Sequence, residues 1–264
     1  MEHALTSFLT QAVFTVGVII LFGFLIAICN KIFYKNMGFF GKPACYITGF
    51  FGTPVHEIAH ALMCLVFGHR IHEVKLFQIS SDDGTLGYVK HSYNKKNVYQ
   101  VIGNFFIGVA PITVIAVVLY LLSLWLVPGM AAEMFAHTQS ITMEAGLGSA
   151  FKSVFLSIGE FFSFAGSGKW WLFLFISSFL TLHMTLSGAD IKGAWGGLIV
   201  LLLLLLLLDI IFALVSVSIL NGFTQFCLSV GGYLTSILML ALIISLIVTG
   251  ISFLFKLFVR RRIL

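Results

Sequence analysis

Two histidines four residues apart, with a glutamate beside the first, stand at His56-Glu57-Ile58-Ala59-His60. On an α-helix, positions i and i+4 share a face, so His56 and His60 can hold one metal ion between them. Glu57 is offset by one residue and can reach a water on that metal without ligating it. The pentapeptide lies inside an apolar run, residues 44–67, long enough to cross a bilayer as a helix. A soluble helix can carry this pattern on its surface by chance, but at membrane depth ionisable groups are costly and need a reason. The chemistry this placement points to is zinc-assisted hydrolysis within a membrane.

Such a site needs elements that hold it in lipid, and the composition supplies them. Of 264 residues, 59% are hydrophobic and 9% charged, against roughly a quarter charged in soluble domains. This excludes an ordinary soluble enzyme and points to an all-α polytopic membrane protein, an integral multi-pass chain. The net charge of +5 reads as cytoplasmic flanks contacting the lipid surface, with no nucleic-acid partner. Cys29, Cys45, Cys64 and Cys227 lie in or beside apolar segments without paired spacing, so they read as packing residues. Cys64 falls one turn beyond His60 on the same face, which leaves a place near the metal open to it. The N-terminus has no basic region and its apolar run is too long for a signal core, so the first span is expected to be retained.

About six transmembrane helices are expected, over residues 8–33, 44–67, 98–127, 170–187, 194–220 and 231–258. Two partly alternating runs, residues 74–79 and 85–89, flank an Asp-Gly turn signal and predict a small β-hairpin within residues 70–92, between the second and third spans. Residues 128–169 form a semi-polar connector, with Phe151, Val154, Phe155, Ile158 and Phe162 at helical spacings. It reads either as an interfacial amphipathic helix or as a loop packed over the bundle. The whole chain, 1–264, is expected to be one membrane domain. Residues 1–43 add an N-terminal span, 44–193 form the core, and 194–264 supply two further spans. Placing Lys256 and Arg260 to Arg262 in the cytoplasm puts both termini and the hairpin there, with ten basic residues inside and five outside. Lys31, Lys35 and Lys42 run against this orientation and would snorkel at the outer interface.

A catalytic zinc needs three protein ligands and an open position. Only Glu57, Asp190 and Asp209, among ten acidic residues, fall within or at the end of an apolar span. His60 lies about seven residues before the inner end of its span, roughly 10 Å at 1.5 Å per residue, and Asp190 lies near the inner end of the fourth. The depths agree, so Asp190 is the expected third ligand; the alternative is an interfacial acid paired with Lys192. His183, seven residues earlier on a similar face, is the reserve ligand or a donor behind the ligands. Asp209 is expected to pair with a polar group inside the bundle.

In these features the chain resembles the site-2 proteases, which are intramembrane zinc metalloproteases. The resemblance covers about residues 45–193. It rests on the His56 to His60 motif, on Gly188-Ala189-Asp190 after a later span, on the intervening hairpin, and on Asn104 with Gly108-Val109-Ala110-Pro111. Ala189 and Ile191 stand where the family has leucine and glycine, Leu182-His183-Met184-Thr185 replaces an Asn-x-x-Pro lead-in, and no PDZ or CBS-like region is present. The resemblance implies a divergent, compact member in which His56, His60 and Asp190 bind zinc and Glu57 is the catalytic acid/base. The implied substrate is a membrane protein with a transmembrane helix, cleaved in or near that helix. The hairpin edge would hold the unwound segment as an added strand. Asn104 would bind unwound backbone, or else make an interhelical hydrogen bond. Water is expected to enter from the cytoplasmic side. Two other functions fit parts of the pattern: a ZIP-like zinc transporter, and a non-catalytic protein that binds membrane helices.

Overall fold

The computed structural model describes residues 2–79, 84–138 and 146–263. Helix α1 (Glu2–Ala12) passes through one π turn (Val13–Gly17) into α2 (Val18–Met37). Gly38, at φ 53°, and a 3-10 turn then reverse the chain into α3 (Gly41–Val66). The reversal is evident because the Tyr34 hydroxyl lies 3.2 Å from Thr48 Oγ1; fourteen residues of straight helix would separate them by about 21 Å. Strands β1 (Arg70–Lys75) and β2 (Tyr88–Ser92) form an antiparallel hairpin, and α4 (Val98–Leu126) follows, capped by the Asn97 side chain. Helices α5 (Met130–Thr138) and α6 (Gly146–Ser163) lie beyond the far end of α4. Then come α7 (Gly168–Leu182), α8 (Gly188–Val215) and α9 (Val217–Ile263).

Four helical stretches are long and apolar enough to cross a membrane: Glu2–Val66, Val98–Leu126, Gly188–Val215 and Val217–Val259. The first contains the α2–α3 reversal. The all-α class and the hairpin are therefore borne out, but of the nine α-helices among the described residues seven have fifteen residues or more, not six. The additional long helix is α6, so the connector, with α5 and α6, is mostly helical where its residues are described. Of the connector residues singled out, Phe155 and Phe162 are exposed and Ile158 packs against the core; the side chains of Phe151 and Val154 lie outside the described residues.

The hairpin strands sit further apart along the chain than expected. Leu76 and Phe77 leave the ladder because Phe77 packs edge-on against Phe50 of α3, with centroids 5.8 Å apart, and Leu86 reaches Gly49 of the same helix. Beyond the ladder Gln78 keeps a cross-link, its N–H donating to the Leu86 carbonyl. Of the Asp-Gly turn signal, Asp83 lies outside the described residues and Gly84 has φ 75°.

The fourth and fifth spans are divided differently as well. The helix of the fourth stops at Leu182, residues 183–187 are non-helical, and α8 begins at Gly188. The reason is local: Ser187 Oγ accepts the Asp190 N–H while Asp190 Oδ2 accepts the Ser187 N–H, a capping box that starts a helix. Asp190 therefore opens the later helix; it does not close the earlier one. The sixth span begins at Val217, with no loop over residues 221–230, because only Ser216 interrupts the helix.

The core is apolar and continuous, with Ile26, Ile112, Ile115, Leu119, Phe161, Trp170 and Phe173 at most 2% exposed. Helix α8 instead leaves Leu203, Leu207 and Leu208 of its leucine run exposed and fully buries only Ala194, Gly197, Leu198 and Asp209. A helix apolar all round with so few fully buried side chains calls for lipid around its outer face.

Candidate metal centre

The two motif histidines project from α3 toward α4 and the segment after α7. Close helix contacts make this possible. A Cβ on Gly52 would sit 2.6 Å from the Phe179 carbonyl, so α3 and α7 touch there backbone to backbone. On the other side, a Cβ on Gly108 of α4 would sit 2.7 Å from Ala194 Cβ and 2.8 Å from the Asp190 carbonyl, which brings the first turns of α8 against α4.

Each imidazole is held from behind by a carbonyl that helix geometry has released. His60 Nδ1 donates to the Ile107 carbonyl at 2.8 Å. That carbonyl would normally accept from residue 111, but residue 111 is proline and has no N–H. His56 Nδ1 donates to the His183 carbonyl, also at 2.8 Å, just past the end of α7. A carbonyl can only accept, so both Nδ1 atoms carry a proton, and in the neutral rings both Nε2 atoms present lone pairs.

Those lone pairs face one another. His56 Nε2 and His60 Nε2 are 3.2 Å apart, and His60 Nε2 is 3.3 Å from Asp190 Oδ1. Two unprotonated nitrogens and a carboxylate oxygen at these separations repel unless a cation lies between them. Tetrahedral zinc with bonds of about 2.0–2.1 Å requires ligand atoms about 3.3 Å apart. The donor set therefore fits zinc in type and spacing. Asp190 is oriented for it by the capping box, which engages Oδ2 and leaves Oδ1 for the site.

These three side chains line a cavity of about 390 Å³, together with Glu57, Asn104 and His91. Glu57 is only 5% exposed, and the hairpin closes over it: a Cβ on Gly87 would lie 2.8 Å from Glu57 Cγ. Asn104 directs its amide at its own helix, donating to the Val101 carbonyl at 3.2 Å. The His183 ring takes a different place. It sits between Thr48 Oγ1, 2.9 Å from Nε2, and Thr53 Oγ1, 3.4 Å from Nδ1, so that its carbonyl and not its imidazole serves the centre. Asp209 lies elsewhere, accepting from Gln11 Nε2 at 3.0 Å between α1 and α8.

Comparison with protein-family models, with curated proteins and with solved structures finds no match.

The structure also gathers residues that the motif reading did not join. Cys64, His69 and His91 bring their donor atoms within 4.8 Å of one another, so Cys64 belongs to this group and not to the His56–His60 pair. The signal was present in the chain: Phe67-Gly68 after an apolar helix is a C-terminal stop that folds the following histidine back on the last turn. Burial, and then the His69, His60 and His72 imidazoles, push the His91 pKa below the usual histidine range. On the exposed side of the hairpin, hydrogen bonds from Lys90 and Tyr88 hold the Glu73 carboxyl below its usual range.

Proposed function

We propose that this protein is an intramembrane zinc metalloendopeptidase of the site-2 protease type, hydrolysing peptide bonds in or near transmembrane segments of other membrane proteins. The observation that carries this reading is the convergence of His56 Nε2, His60 Nε2 and Asp190 Oδ1, with Glu57 on the wall of the same cavity. His56, His60 and Asp190 would hold the ion. What a bound zinc supplies is Lewis acidity toward a carbonyl oxygen and toward water.

The remaining work falls to the chain. Glu57 takes the proton of the attacking water and returns it to the leaving nitrogen, so the carboxyl ends each cycle as it began. The Ile107 and His183 carbonyls hold the two imidazoles in one tautomer throughout. Strand β2 pairs only with β1 among the described residues, and Tyr88, Val89 and His91 from it line the cavity. An unwound substrate segment can add to that free edge as a further strand, with its scissile bond over the centre. Asn104, on the opposite wall, offers the amide oxygen to the same backbone. The basic hairpin residues Arg70, Lys75 and Lys90 favour a cytoplasmic mouth, with both termini on that side.

The test is Glu57→Gln. The variant should keep stoichiometric zinc and lose cleavage, read as the disappearance of membrane-protein fragments in a proteomic comparison with wild type. Wild-type protein without zinc, or a variant that still cleaves, refutes the protease. Zinc flux into liposomes that survives Glu57→Gln, with no fragments from either form, identifies a transporter instead.

A further inference from the structure

The end of α3 carries a second set of donors that shares no residue with the first. Helix α3 closes in a Schellman motif: the His69 N–H donates to the Cys64 carbonyl at 2.8 Å and the Gly68 N–H to the Leu65 carbonyl at 3.1 Å, with Gly68 at φ 68°. This motif brings the third-last helical residue against the second residue past the cap, a contact usually made by two apolar side chains. Here the pair is a thiol and an imidazole. Cys64 is 0% and His69 4% exposed, so the donors are removed from water.

His69 is seated firmly. Its ring stacks on Tyr93 at 5.1 Å and 16°, and it rests over Gly103 of α4, where a Cβ would come within 3.1 Å of Nε2. Nε2 donates to the Gln100 carbonyl at 2.8 Å. In the neutral ring the proton is thus on Nε2, and Nδ1 presents a lone pair. That lone pair faces His91 Nδ1 at 3.0 Å. His91 arrives from β2, opposite Ile71 of β1, next to a register shift that bends the hairpin between Ile71 and Glu73.

We propose that Cys64, His69 and His91 form a second metal site, for zinc or a similar borderline-soft divalent ion, which fastens the hairpin to α3 and α4. One thiolate and two imidazoles form a donor set that such ions favour, and the fourth position is left for water. Ligand atoms around tetrahedral zinc lie about 3.3–3.6 Å apart, so roughly an ångström of side-chain adjustment closes a set already within 4.8 Å. Binding releases one proton, from the Cys64 thiol to solvent; His91 shifts its own proton from Nδ1 to Nε2 and stays neutral. Without an ion, His91 Nδ1–H donates to His69 Nδ1 as a plain hydrogen bond. Because β2 forms part of the cavity wall at the first centre, an ion here sets where that wall stands.

The experiment is metal counting and cobalt spectroscopy on the full chain in detergent. Wild type should hold two equivalents of zinc. Cobalt exchange should give a near-ultraviolet thiolate-to-cobalt charge-transfer band, which the first centre cannot produce because it has no sulfur. The Cys64→Ser variant should lose the band and one equivalent. Its hairpin amides should exchange with deuterium faster than those of wild type. The double variant His56→Ala/His60→Ala should lose the other equivalent and keep the band. A wild-type spectrum with no such band, or a band that persists in Cys64→Ser, overturns the site without touching the protease reading. Loss of the protease reading through Glu57→Gln would likewise leave the band unchanged.

Discussion

Pro111→Ala is the substitution in which stability and metal binding should move in opposite directions. A proline inside a helix costs about 3 kcal/mol relative to alanine. Pro111 is buried in α4, so truncating it forfeits two ring methylenes at about 0.8 kcal/mol each. The propensity term exceeds the packing term, and the metal-free protein should gain about 1 kcal/mol, a rise of about 2–4 °C in Tm for a chain of this size. The N–H that alanine brings to position 111, however, is placed to claim the Ile107 carbonyl, which now receives only the His60 Nδ1–H at 2.8 Å among the bonds described. Competition for that oxygen loosens the ring and its tautomer. Disturbing a group that orients a metal-bound histidine typically weakens binding by about 10–100-fold, or about 1.4–2.7 kcal/mol. The assay pairs thermal unfolding of metal-free protein with zinc competition against a chelator. Gly222→Ala serves as control, since α9 has open space there; it should raise Tm without altering affinity. A stabilised Pro111→Ala protein that binds zinc within about twofold of wild type would refute the released-carbonyl argument. So would affinity and stability falling together, because Pro111 would then be only a packing residue.

The ligand assignment is open to a direct comparison. Asp190→Ala should weaken zinc binding beyond the roughly 10–100-fold of a change behind a ligand, and His183→Ala by no more than that, because its carbonyl survives; loss confined to the histidine variant would exchange their roles. In the core, Gln11 Nε2 bridges Asp209 Oδ1 and Thr224 Oγ1, while Asp209 Oδ2 and Gln11 Oε1 have no partner among the described residues. Asp209→Asn should therefore stay within about 1 kcal/mol of wild type and Asp209→Leu should lose about 1–3 kcal/mol, as measured by unfolding in detergent; an equal loss in both would show that the carboxylate charge itself is needed. On the hairpin, the lowered Glu73 pKa means its clip to Lys90 and Tyr88 is fully present above the usual carboxylate range and is lost as pH falls through the folded value. Deuterium exchange of β1 and β2 should quicken across that interval in wild type but not in Glu73→Gln, and an unchanged wild-type profile would show that the clip does not hold the strands.

What could be read in advance follows from what each signal physically is. His56 and His60 were legible because one helix sets their relation, and helical periodicity is local. Asp190 was legible as a residue but not as a position. Apolar run length placed it at the end of a span, whereas the capping box Ser187 to Asp190, itself local, starts a helix and settles the matter. The Cys64–His69–His91 group was harder, since two members depend on a helix stop and the third on strand register, and register is decided by the whole hairpin. The carbonyls behind the histidines were the least visible, because backbone acceptors leave no residue type in a sequence. Pro111 is the exception. A proline inside an apolar helix announces one unpaired carbonyl four residues earlier, and a buried acceptor without its helical donor must find another. Here that donor is His60. A proline on a helix facing a metal-binding motif can therefore be read as a candidate anchor for the motif's histidine, as well as a kink.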